Sequence, residues 1–299
     1  MDLLSIWDSL RAYVYQGRIG EIDLSVRRDR RSNRSSSPAV EQTGIMSTSL
    51  SISLIIPAYN EVGRIAQTIS EANAYYQKRG YDVEIIVSAD GDDGTREAVA
   101  DMAKSDPALK VIGSVERKGK GYGIRRGMEM ARGDFVGFID ADNKTPIEEF
   151  DSFEPWLRDG YEVVIGSRAL PESRIERAQP VYRRLGSSGF GLFMHAVVGL
   201  PDIVDTQCGF KFFQRHAAVD LFGRQRIDGY MFDVEILYLA QQAGYRIAQV
   251  PVRWRDDGDS RLALLSGNIR NVIDIFRIRF GSPLRAQSIV AKEELKIEE

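Results

Sequence analysis

The apolar residues of this chain fall into short runs, and the spacing of these runs predicts an alternating α/β domain. The runs are separated by segments with helical apolar spacing, and they cover residues 51–56, 82–88, 109–114, 134–139 and 161–166. Strands that alternate with helices form a largely parallel sheet, which binds its ligand beyond the carboxyl ends of the strands. The pattern therefore predicts a ligand crevice along that edge of the sheet.

The second half of the chain departs from this alternation and then returns to regular structure. Residues 167–210 are interrupted by prolines and glycines, which predicts loops and short helices covering the crevice. We predict a helix over 233–244, stopped by Gly244, and a strand over 245–250. Residues 268–280 mix isoleucine and phenylalanine with arginine, a pattern typical of a core helix with basic edges and also of a helix at a membrane surface.

The two ends of the chain lie outside the α/β pattern. Residues 1–17 have near-helical apolar spacing with two acidic residues, which favours a short amphipathic helix over a secretion signal. Residues 27–37 are rich in arginine and serine, which predicts a disordered linker. Met1 and Met46 both remain candidate starts of the protein. The expected organisation is an N-terminal extension over 1–45, an α/β domain over 46–281 and a flexible tail over 282–299.

Composition narrows the class of protein and of ligand. A chain of 299 residues with 43% hydrophobic content can bury a sizeable core. A net charge of −3 argues against a nucleic-acid-binding protein, so an anionic ligand needs local positive charge. The single cysteine, Cys208, excludes an internal disulfide and is expected to be a small buried apolar residue. No apolar run approaches the roughly 18 residues of a membrane-spanning helix.

Three polar clusters each follow a predicted strand. They are Pro57-Ala58-Tyr59-Asn60-Glu61, Asp90-Gly91 and Asp140-Ala141-Asp142. Alternation along a strand directs Asp140 and Asp142 to the same side, where two carboxylates can hold a hard divalent cation against a diphosphate. Together the clusters predict a site for a nucleotide-sugar.

Six motifs follow one another in a characteristic order. They are residues 57–61, 117–121, 140–142, 166–168, 205–211 and 232–235. In this order they resemble the inverting family 2 glycosyltransferases of GT-A fold, and within them the dolichyl-phosphate β-glucosyltransferases, close to the mannose synthases. The resemblance covers about residues 51–281. It implies a Rossmann-like, mostly parallel sheet flanked by helices, with an N-terminal extension and a C-terminal amphipathic helix.

The resemblance also implies roles for individual residues. Asp142 would bind Mg²⁺ or Mn²⁺ across the donor diphosphate, and Asp140 would contact ribose or metal-bound water. Arg168 would contact the donor diphosphate, and Lys211 a phosphate of donor or acceptor. The remaining expected ligands of the donor are Pro57, Tyr59, Glu61 and Asp90 for uridine and ribose, and Lys120 for local positive charge.

Two departures from the family pattern leave alternatives open. The second cluster is one residue shorter than usual and has an extra acid, so Asp92 and Asp93 compete with Asp90 for the base, and we choose Asp90. Where mannose synthases often place a further metal ligand, this chain has Lys144. A charged lysine cannot be that ligand, so either the metal is held more weakly or Lys144 touches phosphate.

Asp233 occupies the place of the catalytic base in family 2 enzymes that act on sugar hydroxyls. A phosphate acceptor is already mostly dianionic at pH 7, so there Asp233 would position the acceptor or a basic side chain. A helix-capping role is the third reading. The expected function is transfer of a sugar, glucose by resemblance, from a UDP-sugar to dolichyl or polyprenyl phosphate with inversion, by a peripheral protein at the cytoplasmic membrane face.

Two other functions remain open at the level of the sequence. One is a family 2 transferase that acts on a saccharide hydroxyl with Asp233 as base. The other is a nucleotide-sugar-binding protein without turnover. The sequence does not indicate the oligomeric state or the length of the lipid acceptor.

Overall fold

The structure, a computed structural model, describes residues 50–176, 197–255 and 266–281. The expected N-terminal extension over 1–45, with its helix and linker, lies outside the described residues, as does the tail over 282–299. Residues 177–196, within the predicted loop segment over 167–210 that would cover the crevice, also lie outside them.

A seven-stranded sheet forms the centre of the domain, in the order β3-β2-β1-β4-β7-β5-β8. Strand β7 runs antiparallel to both of its neighbours, and the other pairings are parallel. Two short strands, β6 and β9, pair separately. The strands are β1 Ser51–Tyr59, β2 Asp82–Asp90, β3 Leu109–Ile112, β4 Phe135–Ile139, β5 Val163–Ser167, β6 Arg174–Ile175, β7 Phe210–Gln214, β8 Ile247–Pro251 and β9 Arg253–Trp254.

Helices connect the strands and cover both faces of the sheet. They are α1 Ile65–Arg79, α2 Thr95–Ala103, α3 Lys120–Met130, α4 Phe150–Arg158 after a 3-10 turn at Ile147–Glu149, α5 Arg215–Arg224, α6 Phe232–Ala243 and α7 Ser266–Phe280. Helix α6 ends at Gly244, whose φ of 74° lies in the left-handed region that glycine adopts without strain. The predicted helix and its stop are therefore confirmed.

Each face of the sheet carries its own apolar core, which confirms the predicted layering. Helices α1, α2 and α4 pack on one face, and α3, α5, α6 and α7 pack on the other. Alternation along β1 sends Leu54 and Ile56 to the first core and Ile55 to the second. Cys208 is 1% exposed, as expected of a small apolar residue, and burial raises the pKa of its thiol to about 11.

The sequence pattern did not predict strand β7, which lies near the middle of the sheet. Its residues Phe210, Phe212 and Phe213 are fully buried, because both faces of the sheet are covered at this point. A strand buried on both faces has a continuous apolar run instead of an alternating one. Its antiparallel direction pairs Phe210, where β7 begins, with Ile139, where β4 ends. The residues that precede β7 are thus brought to the crevice edge.

Helix α7 has one face packed in the core and another that exposes apolar side chains. Ile275 and Ile278 are buried in the second core, which confirms a packed face. On another face Ile269, Ile273, Phe276 and Phe280 are between 45% and 72% exposed. Within the described ranges, no helix is both long and apolar enough to cross a membrane.

Candidate active site

The crevice lies where β1, β2 and β4 end, next to the segment that enters β7. Tyr59 and Asp90 are paired across the ends of β1 and β2. The backbone N–H of Asp140 donates a hydrogen bond to the carbonyl of Gly209, at 3.2 Å. A Cβ at position 209 would lie 2.0 Å from Oδ2 of Asp140, so a side chain there would collide with the carboxylate. The structure therefore brings the 140–142 and 205–211 motifs into contact, as a shared site requires.

Each carboxylate at the end of β4 is paired with a lysine. Lys120, the first residue of α3, places Nζ 2.7 Å from Oδ1 of Asp140. Lys144 places Nζ 3.0 Å from Oδ2 of Asp142. Burial lowers the pKa of Lys120, but the nearby carboxylates of Asp140 and Asp233 outweigh it and raise that pKa above its usual value. Lys120 therefore remains a cation at the crevice at physiological pH.

A third lysine–carboxylate pair, between β7 and α6, is buried. Nζ of Lys211 is 2.6 Å from Oδ1 of Asp233 and donates a second hydrogen bond to the carbonyl of Cys208, also at 2.6 Å. The two side chains are 1% and 4% exposed. Burial raises the pKa of Asp233, and the charges of Lys211 and Lys120 oppose that effect. Lys211 thus holds Asp233 and the segment before β7 in one arrangement.

Arg168 is held by the carboxylate of Asp205. Nε and Nη2 of Arg168 bind the two oxygens of Asp205 at 2.8 and 2.9 Å, and its backbone N–H donates to the same group. The Arg168 guanidinium also lies over the ring of Trp254. Burial alone would raise the pKa of Asp205, but the charge of Arg168 lowers it to about 2. The bidentate contact fixes the guanidinium plane beside the crevice.

The three acids at and just beyond the end of β2 make different contacts. Asp90 accepts hydrogen bonds from the backbone N–H groups of Ser114 and Lys118, at 3.2 and 2.8 Å, and so holds the loop that leads into α3. Asp93 accepts from Thr95 at the start of α2 and from the backbone N–H of Val62. Asp92 is exposed. The carboxylate of Asp90 therefore shapes the wall where the nucleotide is expected.

Two further residues at this end of the sheet, Arg117 and Tyr230, were not predicted from the sequence to contribute to the site. The guanidinium of Arg117 lies over the ring of Tyr59, 4.4 Å from its centroid, and donates to the hydroxyl of Tyr230 at 3.2 Å. Tyr59 is 37% exposed, and Glu61 donates its backbone N–H to Thr95. Arg117 belongs to a motif that we identified, but its position over Tyr59 depends on the path of the loop. Pro57 lies within β1, paired with Ser88.

The side chains at the crevice can be compared with those that usually bind a divalent cation. In the parts of the chain that the structure describes, no group of three or more His, Cys, Asp or Glu side chains is arranged to hold a metal. Mg²⁺ often takes one or two carboxylates and completes its shell with substrate phosphates and water. Asp140 and Asp142 are carboxylates of the type that such a site uses, and each is paired with a lysine, Lys120 or Lys144, in this structure.

The chain has relatives and structural neighbours of known identity. It is 35% identical to a dolichyl-phosphate beta-glucosyltransferase of Trichomonas vaginalis, over 75% of this chain and 69% of that protein. It is 32% identical to the dolichyl-phosphate beta-glucosyltransferase of Homo sapiens, over 71% and 69% of the two chains.

Among solved structures, glucosyl-3-phosphoglycerate synthase from Mycobacterium tuberculosis, in complex with Mn²⁺, uridine-diphosphate and phosphoglyceric acid, has a similar fold. Its TM-score is 0.59 at 23% identity, covering 79% of this chain and 80% of that one. At this identity the likeness concerns the fold, and it confirms the predicted GT-A architecture. Residues 53–222 match the family described as Glycosyl transferase family 2. The chain therefore belongs to glycosyl transferase family 2.

Proposed function

We propose that this protein transfers glucose from UDP-glucose to dolichyl or polyprenyl phosphate with inversion at the anomeric carbon. The observation that carries the choice of acceptor is the buried pair of Asp233 with Lys211, at 2.6 Å. The names of the relatives, dolichyl-phosphate beta-glucosyltransferases covered over about 70% of their length, support glucose as the sugar and dolichyl phosphate as the acceptor. UDP as the carrier of that sugar is proposed from the resemblance of the motifs around Tyr59 and Asp90.

The argument about the acceptor rests on what a base must do. A sugar hydroxyl must lose a proton during transfer, so its enzyme needs a carboxylate that can reach it and accept that proton. Asp233 is 3% exposed and bonded to an ammonium group, so its contacts favour a positioning role. A phosphate acceptor is already mostly dianionic at pH 7 and needs no base. Asp233 would then keep Lys211 and the segment before β7 in place.

The transfer step follows from the charges around the crevice. An oxygen of the acceptor phosphate attacks the anomeric carbon, the bond from that carbon to the UDP oxygen breaks, and its electron pair leaves with UDP. Two anions must approach each other, so the cations matter most: Lys120 beside Asp140, and Arg168 oriented by Asp205. A divalent cation held by Asp142 and Asp140 would offset the charge on the departing diphosphate.

The nucleotide would lie against the ends of β1 and β2. Tyr59 offers a partly exposed ring for the base, and Asp90 holds the loop on the other side. Arg117 lies over the ring of Tyr59 in this structure, so the base would either displace the guanidinium or bind beside it. Glu61 and Pro57 belong to the same wall and remain proposed contacts of uridine and ribose.

Helix α7 supports a peripheral position at the membrane face. Its exposed apolar residues are spaced by four, three and four positions, which places them on one stripe of a helix, and Arg270 and Arg279 beside it are exposed. Burying a large apolar side chain yields about 1.5–3 kcal/mol, and each basic residue near anionic lipid adds about 1 kcal/mol. These contributions would support reversible binding at the cytoplasmic face, where the lipid acceptor and UDP-glucose would meet.

The transfer assay uses labelled UDP-glucose, UDP-galactose, UDP-N-acetylglucosamine and GDP-mannose with a short polyprenyl phosphate. We expect an organic-extractable product from UDP-glucose that Asp142→Asn abolishes. A product that forms only on a saccharide hydroxyl and disappears with Asp233→Asn would replace the proposal with the hydroxyl-acceptor reaction. Nucleotide binding without any product would indicate a protein without turnover.

The membrane proposal is tested by sedimentation with vesicles of neutral and anionic lipid. We expect binding to anionic vesicles that salt weakens and that Ile269→Ser/Phe280→Ser reduces. The control is Trp156→Ser on α4, an aromatic residue that is 40% exposed and lies on the helix layer of the opposite core. Equal binding of all three proteins would show that α7 does not contact the membrane.

A further inference from the structure

Lys144 is folded back onto the carboxylate that is expected to hold a metal. Asn143 has a φ of 50°, in the left-handed region, and this turn reverses the chain between Asp142 and Lys144. The backbone N–H of Lys144 points to Oδ1 of Asp142 at 3.4 Å, and its Nζ lies 3.0 Å from Oδ2. The carbonyl of Lys144 accepts a hydrogen bond from the backbone N–H of Arg255, at 2.9 Å. Both oxygens of Asp142 thus face the same residue.

The pair is more than a surface ion pair. The side chain of Lys144 is 13% exposed and that of Asp142 is 21% exposed, so little water screens the two charges. Electrostatic interactions strengthen as the surroundings become less polar, whereas exposed ion pairs contribute little. A divalent cation that approached Asp142 would meet an ammonium group already bound to the same oxygen. A charged lysine repels that cation and has no lone pair with which to bind it.

We propose that Lys144 sets the divalent-cation dependence of this site. Its ammonium group competes with Mg²⁺ or Mn²⁺ for Asp142 and, when the donor is bound, turns toward the diphosphate. The site then has lower affinity for the free cation and depends less on it for holding the donor. This inference rests on the proposed function, in which Asp142 is the metal-binding carboxylate.

The test measures Mn²⁺ binding directly, from the electron paramagnetic resonance signal of the free ion, with and without UDP. Two variants remove the charge: Lys144→Gln, which offers an oxygen, and Lys144→Met, which does not. Without UDP we expect both to bind Mn²⁺ roughly tenfold more tightly than the wild type, because the competing cation is gone. Without metal we expect both to bind UDP several-fold more weakly, because the diphosphate has lost an ammonium group.

The control variant is Lys110→Gln. Lys110 forms a similar pair with Glu84, at 2.6 Å and with side chains 29% and 14% exposed, between β2 and β3. It should leave both affinities unchanged. If Lys144→Met and Lys144→Gln bind Mn²⁺ no more tightly than the wild type, the inference is wrong. A gain with Gln alone would also overturn it, since the added oxygen and not the lost charge would then be the cause.

A separate variant distinguishes this failure from failure of the proposed function. Asp142→Asn should abolish Mn²⁺ binding if Asp142 holds the metal. If Asp142→Asn binds Mn²⁺ as the wild type does, the metal role in the proposed function is wrong. If Asp142→Asn loses binding while the Lys144 variants are unchanged, the proposed function stands and the inference about Lys144 falls.

Discussion

Replacing Lys211 with methionine should strongly destabilise the protein and make its stability depend on pH. The variant leaves the Asp233 carboxylate in a site where its side chain is 4% exposed, without the ammonium group that lay 2.6 Å away. Removing one partner of a buried ion pair costs about 3–5 kcal/mol. The carbonyl of Cys208 also loses its donor, which costs about 1 kcal/mol more. Lys120 remains as a second cation near Asp233 and offsets part of this cost.

The pH dependence has a definite sign. Burial raises the pKa of Asp233, and Lys211 is the first of the charges that lower it, so the variant should have a still higher folded pKa. Below the unfolded pKa of about 3.9 both states are protonated and the penalty is absent. As pH rises, the unfolded carboxylate ionises first, so the folded state loses stability. The destabilisation of Lys211→Met should therefore be larger at pH 8 than at pH 5.

Urea unfolding followed by circular dichroism, at both pH values, gives the required free energies. A second variant, Lys211→Met/Asp233→Leu, removes both charges and should recover most of the lost stability, since apolar replacements of buried pairs are often neutral or stabilising. The control Lys104→Gln removes an exposed pair with Asp101 and should not move the unfolding midpoint. A loss below about 1 kcal/mol for Lys211→Met at pH 8 would refute the reasoning, as would a double variant no more stable than the single one.

Three other predictions concern the crevice. Asp205→Asn should remove about 2 kcal/mol of stabilisation, which the wild type has above about pH 4 and loses as pH falls through the folded pKa of about 2; thermal unfolding from pH 7 down to about pH 2 should show the difference between the two proteins shrinking below about pH 4. Gly209→Ala should lower transfer at least tenfold while the fold persists, because a Cβ would lie 2.0 Å from the Asp140 carboxylate; unchanged steady-state kinetics would contradict this contact. Tyr230→Phe removes the hydroxyl that binds Arg117 and should change UDP affinity by a few-fold at most, measured by calorimetry, whereas Arg117→Ala should change it more; equal effects would argue against the stacked position of Arg117.

Much of the architecture could be predicted from local patterns. The apolar runs located β1 to β5, and Gly244 located the end of α6. These features depend on residues a few positions apart, because strand alternation and helix periodicity are both short repeats. The polar clusters at the ends of β1, β2 and β4 could be expected to meet for the same reason, since parallel strands end at one edge.

The partners of the charged residues could not be predicted in this way. Arg168 was expected at the donor diphosphate, and the structure adds that Asp205, 37 residues later, holds its guanidinium. Lys211 was expected at a phosphate, and the structure adds that it lies buried against Asp233, 22 residues later. Their roles toward substrate remain predictions. Asp205 opens the 205–211 motif, and its place in that motif is the one feature of the sequence that could have indicated it as a partner of Arg168.

The sequence by itself determined the alternating α/β class, the crevice edge and the residue types gathered there. Only the tertiary structure decided which charges are paired, because that depends on β7 entering the sheet antiparallel between β4 and β5. This insertion places Lys211 beside Asp233 and brings Gly209 against Asp140. A run of buried aromatic residues indicates that a strand is covered on both faces, but it carries no information about direction or neighbours. Those are set by long-range packing, and with them the electrostatics of the site.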